Sequence, residues 1–231
     1  MKNVKKSAIL TVAVLLAGVG GTLASGGSIS GTVLFSGEPP AAEKVAVARD
    51  TDKCGAEKLL QNVIVGPNQG LQWAVIQIIG AEGDAAGAAE GLKLDQNGCE
   101  FTPHIVVVPK GTDLSVLNSD GILHNIHTYS EKNPPMNKAQ PGFRKEMKVR
   151  FGDAEIVKVT CDVHPWMKGF IVVADTPFVA VTDGQGRFKL DNVPPGTYEL
   201  KLWHSELGEQ TRRVAVKAGE DSTVAFKVSS N

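Results

Sequence analysis

Beyond residue 27 the chain alternates apolar and polar positions in short runs, and nowhere sustains the three-to-four spacing of a long amphipathic helix. Gly, Pro, Asn and Asp separate the runs, which is the punctuation of an all-β protein. The pattern predicts strands over residues 28–35, 44–49, 61–66, 72–80, 104–110, 112–119, 124–130, 145–151, 155–161 and 169–175. The stretch AEGDAAGAAEGLKL, 81–94, fits a short helix or a surface loop equally. After Asp175 the turn signals DGQG, NVPPG and KAGED divide the tail into five further short strands, the outline of a second, smaller sandwich.

The first segment breaks this pattern. Lys2, Lys5 and Lys6 precede an uncharged apolar run that ends in small residues around Thr22, Ala24 and Ser25, the layout of a secretory signal cleaved near Ala24. A retained anchor is the alternative, since the run from Ala8 to Ala24 approaches the length that spans a bilayer. No cysteine follows the run, which disfavours a lipid anchor. Export to the periplasm or cell surface is therefore expected, with no stable membrane insertion after cleavage. Loss of the three leader lysines takes the formal charge from −1 to −4 and leaves no basic cluster, which argues against nucleic acid as a partner. At 231 residues with 42% hydrophobic content, the chain can form one large or two small packed domains.

In an exported chain cysteines are counted in pairs, and there are three here. Cys161 is the one surrounded by other ligand types, so the expected disulfide joins Cys54 to Cys99. The competing reading, in which those two also bind metal, finds no flanking His and no CxxC spacing.

The segment TCDVHPWMKGFIVV, 160–173, concentrates the chemistry. Cys161, His164 and Met167 stand three residues apart between two predicted strands, where a short loop can aim all three at one point. Thiolate, imidazole and thioether form a soft donor set that suits copper, whereas zinc has little use for Met. A trigonal copper site needs a second imidazole. VLNSDGILHNIHTYS offers His124 and His127, and His124 is the better placed, directly after a turn and beside Asn125, a side chain able to tie the two ligand segments together. His127, His104 and His204 read as structural residues, as do Met136 and Met147.

FTPHIVVVPKGTDLSVLNSDGILHNIH followed by VTCDVHPWMKGFIVV resembles the cupredoxins, the blue type 1 copper proteins of the amicyanin and plastocyanin kind. The resemblance implies a Greek-key β-sandwich holding one type 1 copper, with His124, Cys161 and His164 as equatorial ligands and Met167 as the axial one. One departure is the long polar excursion EKNPPMNKAQPGFRKEMKV between the two ligand blocks. TDGQGRF and VPPGTY in the tail resemble the carboxypeptidase regulatory-like module, a small prealbumin-type or Ig-like β-sandwich, and the opening GSISGTVLFSGEPP resembles that module's first strand and turn. The expected division is a signal peptide at 1–24, an N-terminal β segment at 25–69, a cupredoxin-like domain at 70–175 and the regulatory-like module at 176–231. The N-terminal segment either completes the C-terminal module, with the copper domain inserted between them, or precedes it in simple tandem.

Four protein ligands leave no open coordination position, and no nucleophile–base set is visible, so the expected role is one-electron transfer rather than catalysis. Pro165 and Trp166 would form part of a docking surface beside an exposed His164 edge, serving a redox partner such as a c-type cytochrome or a periplasmic oxidoreductase. The alternatives are copper binding and delivery, and a cell-surface binding module whose copper site is vestigial.

Overall fold

The structure is a computed structural model, and it describes residues 26–81 and 91–230. The predicted leader and most of the 81–94 stretch lie outside the described residues. The rest is all-β, as the short alternating runs require.

The chain opens in β1 (Gly27–Phe35) and crosses a small hairpin of β2 (Glu43–Ala46) and β3 (Glu57–Leu60), with the one-turn helix α1 (Thr51–Cys54) between them. It then forms β4 (Val75–Ile79), followed by β5 (Lys93–Gln96), β6 (Phe101–Thr102), β7 (Ile105–Pro109) and β8 (Asp113–Asn118). Next come β9 (His124–Tyr129), β10 (Asn137–Gln140), β11 (Glu146–Arg150), β12 (Glu155–Thr160) and β13 (Lys168–Ala174). The tail supplies β14 (Val179–Val181), β15 (Arg187–Val193), β16 (Gly196–His204), β17 (Gly208–Val216) and β18 (Asp221–Val228). The predicted strand at 61–66 is irregular apart from one bridge between Val65 and Leu71, and the hairpin partner is the preceding Glu57–Leu60.

Two sandwiches result. One packs the sheet β10-β9-β12-β13-β7 against β11-β8-β5-β6, around a core that includes Leu94, Val108, Leu114, Val116, Ile126, Val157 and Ile171. The other packs β15-β1-β18 against β14-β4-β16-β17, around Ile29, Val33, Phe35, Ile76, Ile78, Leu200 and Leu202.

β1 is therefore a strand of the C-terminal module, antiparallel to β15 and parallel to β18. Gly31 allows this close approach: a Cβ there would stand 2.1 Å from the Val224 carbonyl oxygen and 2.5 Å from the Phe188 ring. β4 lies in the same module, hydrogen-bonded to β14 and β16, although the boundary expected at residue 70 would place it with the other sandwich. Its sequence, VIQII, is too uniformly apolar for alternation to indicate which sheet it joins.

β13 binds the two halves together. Ile171 and Val173 face the first sandwich core, while Phe170 and Val172 enter a third cluster with Val75 and Ile105, flanked by Trp73 and Trp203. A strand covered on both faces reads as a continuous apolar run, and FIVVA is such a run.

Candidate metal centre

Antiparallel pairing of β9 with β12 sets His127 opposite Thr160, so the start of β9 and the exit of β12 lie at the same end of the sheet. Side chains alternate along a strand, and His124 shares the inward face with the fully buried Ile126. Cys161 follows β12 directly, and the loop to β13 closes tightly: the Met167 N–H donates to the His164 carbonyl at 2.9 Å, and the Cys161 N–H to the Met167 carbonyl at 3.3 Å.

The structure brings three donors together. Cys161 Sγ lies 3.8 Å from His124 Nδ1 and 3.8 Å from His164 Nδ1, and the two Nδ1 atoms are 3.0 Å apart. Such separations are close to those that metal–ligand bonds of about 2.0–2.3 Å impose on neighbouring donors. Met167 is buried in the core that also contains Cys161. The donor chemistry of a thiol and two imidazoles fits copper.

The outward nitrogens are also engaged. His124 Nε2 lies 2.9 Å from Asp120 Oδ2, and His164 Nε2 lies 3.0 Å from Asp50 Oδ2. A carboxylate accepts only from an N–H, so both rings carry a proton at Nε2 and turn Nδ1 towards the thiol. Burial pushes the His124 pKa down despite the neighbouring Asp120. Burial pushes the Cys161 thiol up, opposed by the backbone N–H groups of Asn125, His164 and Val163. A metal that binds here must displace the thiol proton.

Asn125 lies between the two ligand segments. Its Oδ1 accepts the Asp162 N–H at 2.7 Å, and its Nδ2 donates to Asn137 Oδ1 at 2.6 Å and Asp162 Oδ2 at 3.1 Å. The polar excursion after β9 thus contributes β10, whose Asn137 joins this network. His127 faces the other way, with Nδ1 2.9 Å from Asp162 Oδ1 and its ring stacked on Tyr129. His104 and His204 belong to the junction between the sandwiches, where His104 stacks on Trp73 with ring centroids 3.9 Å apart.

The disulfide joins Cys54 to Cys99, leaving Cys161 as the free, buried thiol. Its sulfurs lie within 4.8 Å of a His164 ring nitrogen. The expectation of an open His164 edge needs correcting: His164 is 0% exposed, because the hairpin segment ahead of α1 brings Asp50 across its Nε2. The exposed groups nearby are Pro165 and part of Trp166. The Trp166 ring sits 5.2 Å from that of His164, and its Nε1–H donates to the Cys99 carbonyl at 3.0 Å. With Val45, Ala46, Ala48 and Leu60, these two residues line a largely apolar hollow of about 290 Å³.

Sequence reading missed Asp50 and Asp120. Asp120 had a signal in its place, four residues before His124 in the NSDG turn, whereas Asp50 is 114 positions from the histidine it meets.

A family model for the carboxypeptidase regulatory-like domain matches residues 167–229, a span that begins just ahead of β13 and omits β1 and β4. No curated protein matches the chain. Among solved structures it is similar to a novel purple cupredoxin from Nitrosopumilus maritimus, at 19% identity over 36% of this chain and 99% of that one, with a TM-score of 0.31. Amicyanin from Paracoccus versutus shares 17% identity over 43% of this chain and 97% of its own, with a TM-score of 0.32. The copper-containing nitrite reductase of Thermus scotoductus SA-01 shares 19% over 62% of this chain and 28% of its own, with a TM-score of 0.34. Among the described residues no helix is long and apolar enough to cross a membrane. In architecture the chain joins two β-sandwiches; the match to the carboxypeptidase regulatory-like domain falls largely on the second, in which β1 pairs in parallel with β18.

Proposed function

We propose that this is an exported type 1 copper protein, a one-electron carrier whose single copper is held by His124, Cys161, His164 and Met167. The observation that carries this reading is the meeting of Cys161 Sγ with two inward-turned Nδ1 atoms, 3.0–3.8 Å apart, in a buried pocket. When bound, copper supplies a Cu(II)/Cu(I) couple at such a donor set.

The chain's own residues supply rigidity and exclusion of water. Cys161, His124 and His164 are at most 1% exposed, and Asn125 ties the loop after β12 to β9. A site whose donors are fixed before the metal arrives has little to rearrange when the charge changes, which favours fast electron transfer over bond-making chemistry. With Met167 as the fourth ligand no coordination position would remain for a substrate, and on that ground we read the protein as a carrier rather than an enzyme. Delivery of copper is the weaker reading, because both imidazoles are fully buried and engaged at Nε2 by Asp120 and Asp50, out of reach of a receiving ligand. A redox partner, such as a c-type cytochrome or a periplasmic oxidoreductase, would dock over Pro165 and Trp166. Small apolar patches of this kind suit brief encounters.

The test is a visible and electron paramagnetic resonance spectrum of the Cu(II)-loaded protein beside Cys161→Ser. An intense blue or purple band in the parent, lost in the variant, is the expected result. A colourless parent with ordinary tetragonal copper would overturn the reading.

A further inference from the structure

The hairpin between β1 and β4 belongs to neither sheet of either sandwich, yet it is anchored on the metal centre. Val47 and Cys54 are buried in the first sandwich core. The Lys53 and Cys54 N–H groups donate to the Asp50 carbonyl at 2.9 and 2.8 Å, so Asp50 and Cys54 occupy one helical turn. Cys54 is bonded to Cys99, whose own N–H donates to Asp120 Oδ2 at 2.8 Å, while Gly98 N–H donates to Asp120 Oδ1 at 2.6 Å. One covalent link therefore connects the turn that carries the carboxylate on His164 to the turn that fixes the carboxylate on His124.

We propose that Asp50 is a positioning residue and lid for His164: its carboxylate holds the ring with Nδ1 turned to Cys161 and closes the outer edge of the imidazole, and the Cys54–Cys99 bond keeps it there. The geometry leaves little else to do so. The Asp50 side chain is 36% exposed and His164 is 0% exposed, so the carboxylate is the layer between Nε2 and water on that side. Asp50 makes no side-chain capping bond to α1. Its backbone lies at φ 55°, a conformation that Asp, Asn and Gly accept more readily than other residues. Its carboxylate is thus engaged by the histidine ring rather than by the local turn.

The inference rests on the copper reading only for its consequence, the shielding of one metal ligand from solvent and from partner groups. Its test uses the metal-free protein, so the two can fail separately. Asp50→Gly keeps the left-handed backbone and removes the carboxylate, whereas Asp50→Asn keeps both the backbone preference and an acceptor oxygen. Long-range proton–nitrogen spectra of ¹⁵N-histidine-labelled protein should show His164 as the pure Nε2–H tautomer in the parent and in Asp50→Asn, but a mixture in Asp50→Gly. Carbethoxylation of His164 by diethyl pyrocarbonate should quicken about tenfold or more in Asp50→Gly, the equivalent of one lost hydrogen bond to a charged group, with His124 unchanged. The paired Cys54→Ser, Cys99→Ser variant should raise the His164 rate in the same direction. An unchanged tautomer and rate in Asp50→Gly would overturn the positioning role, and an unchanged rate in the double variant would overturn the clamp.

Discussion

Parity along β9 decides which of two histidines can serve the centre. His124 and Ile126 share the inward face, while His127, three positions on, meets Asp162 at the surface. Strand phase is fixed by the core, so no side-chain rotation would bring His127 inside without slipping the register. Met167 raises a different question, because it is both a candidate ligand and a core residue at 1% exposure. Packing and ligation can be separated by volume. Met167→Leu should hold metal-free stability within about 1.5 kcal/mol, whereas Met167→Ala should cost about 2–5 kcal/mol through the cavity it leaves. Urea unfolding of the metal-free proteins measures both. With the fold intact, any change in copper affinity of the Leu variant reports the loss of the thioether alone. Equal destabilisation by Leu and Ala would mean that the pocket demands the shape of Met itself.

At the level of elements, Glu155 at the head of β12 orders the turn after β9. Partial burial pushes its carboxyl up, but hydrogen bonds from the Asn133 amide and from the backbone N–H groups of Lys132, Asn133 and Glu131 outweigh this and bring its pKa down to about 2. A carboxylate depressed in the folded state stabilises it fully above its unfolded value of 4.5, and that contribution fades as pH falls towards about 2. Glu155→Gln should therefore be less stable than the parent at neutral pH, and the gap should narrow between pH 4.5 and 2. Urea midpoints at neutral pH and within that window check this, and a gap that stays constant would remove the carboxylate from the account. Most elements were legible because alternation marks a half-buried strand, as in DLSVLN of β8. The polar strands β3, β5 and β10, rich in Glu, Lys, Asn and Gln, carry no such mark and are set by their partners. The donors His124, Cys161 and His164 were legible because a loop and a neighbouring strand encode them locally. The burial of His164 was not, since its cover comes from a hairpin more than a hundred positions away.

Over the whole molecule, connectivity makes the C-terminal module depend on the N-terminus. The family match covers 167–229, and the tail after Asp175 reads as a self-contained sandwich, yet β18 takes β1 as its parallel partner and β16 takes β4 on one edge. Strand pairing between segments more than a hundred residues apart leaves no local trace, and this is why insertion and tandem order could not be separated from sequence. β1 and β4 bring Ile29, Val33, Phe35, Ile76 and Ile78 into the module core, all at most 2% exposed. At about 1.5–3 kcal/mol for each buried side chain, their loss removes roughly 8–15 kcal/mol. That is comparable to the whole stability of a typical domain, about 5–15 kcal/mol. Residues 176–231 made alone should therefore stay unfolded, and adding residues 26–36 as a separate peptide should not suffice while β4 is missing. Circular dichroism and amide dispersion of the fragment give the answer. A cooperative unfolding transition in the isolated tail would show that β14–β18 hold a core by themselves, and that β1 and β4 fasten the first sandwich to a module already formed.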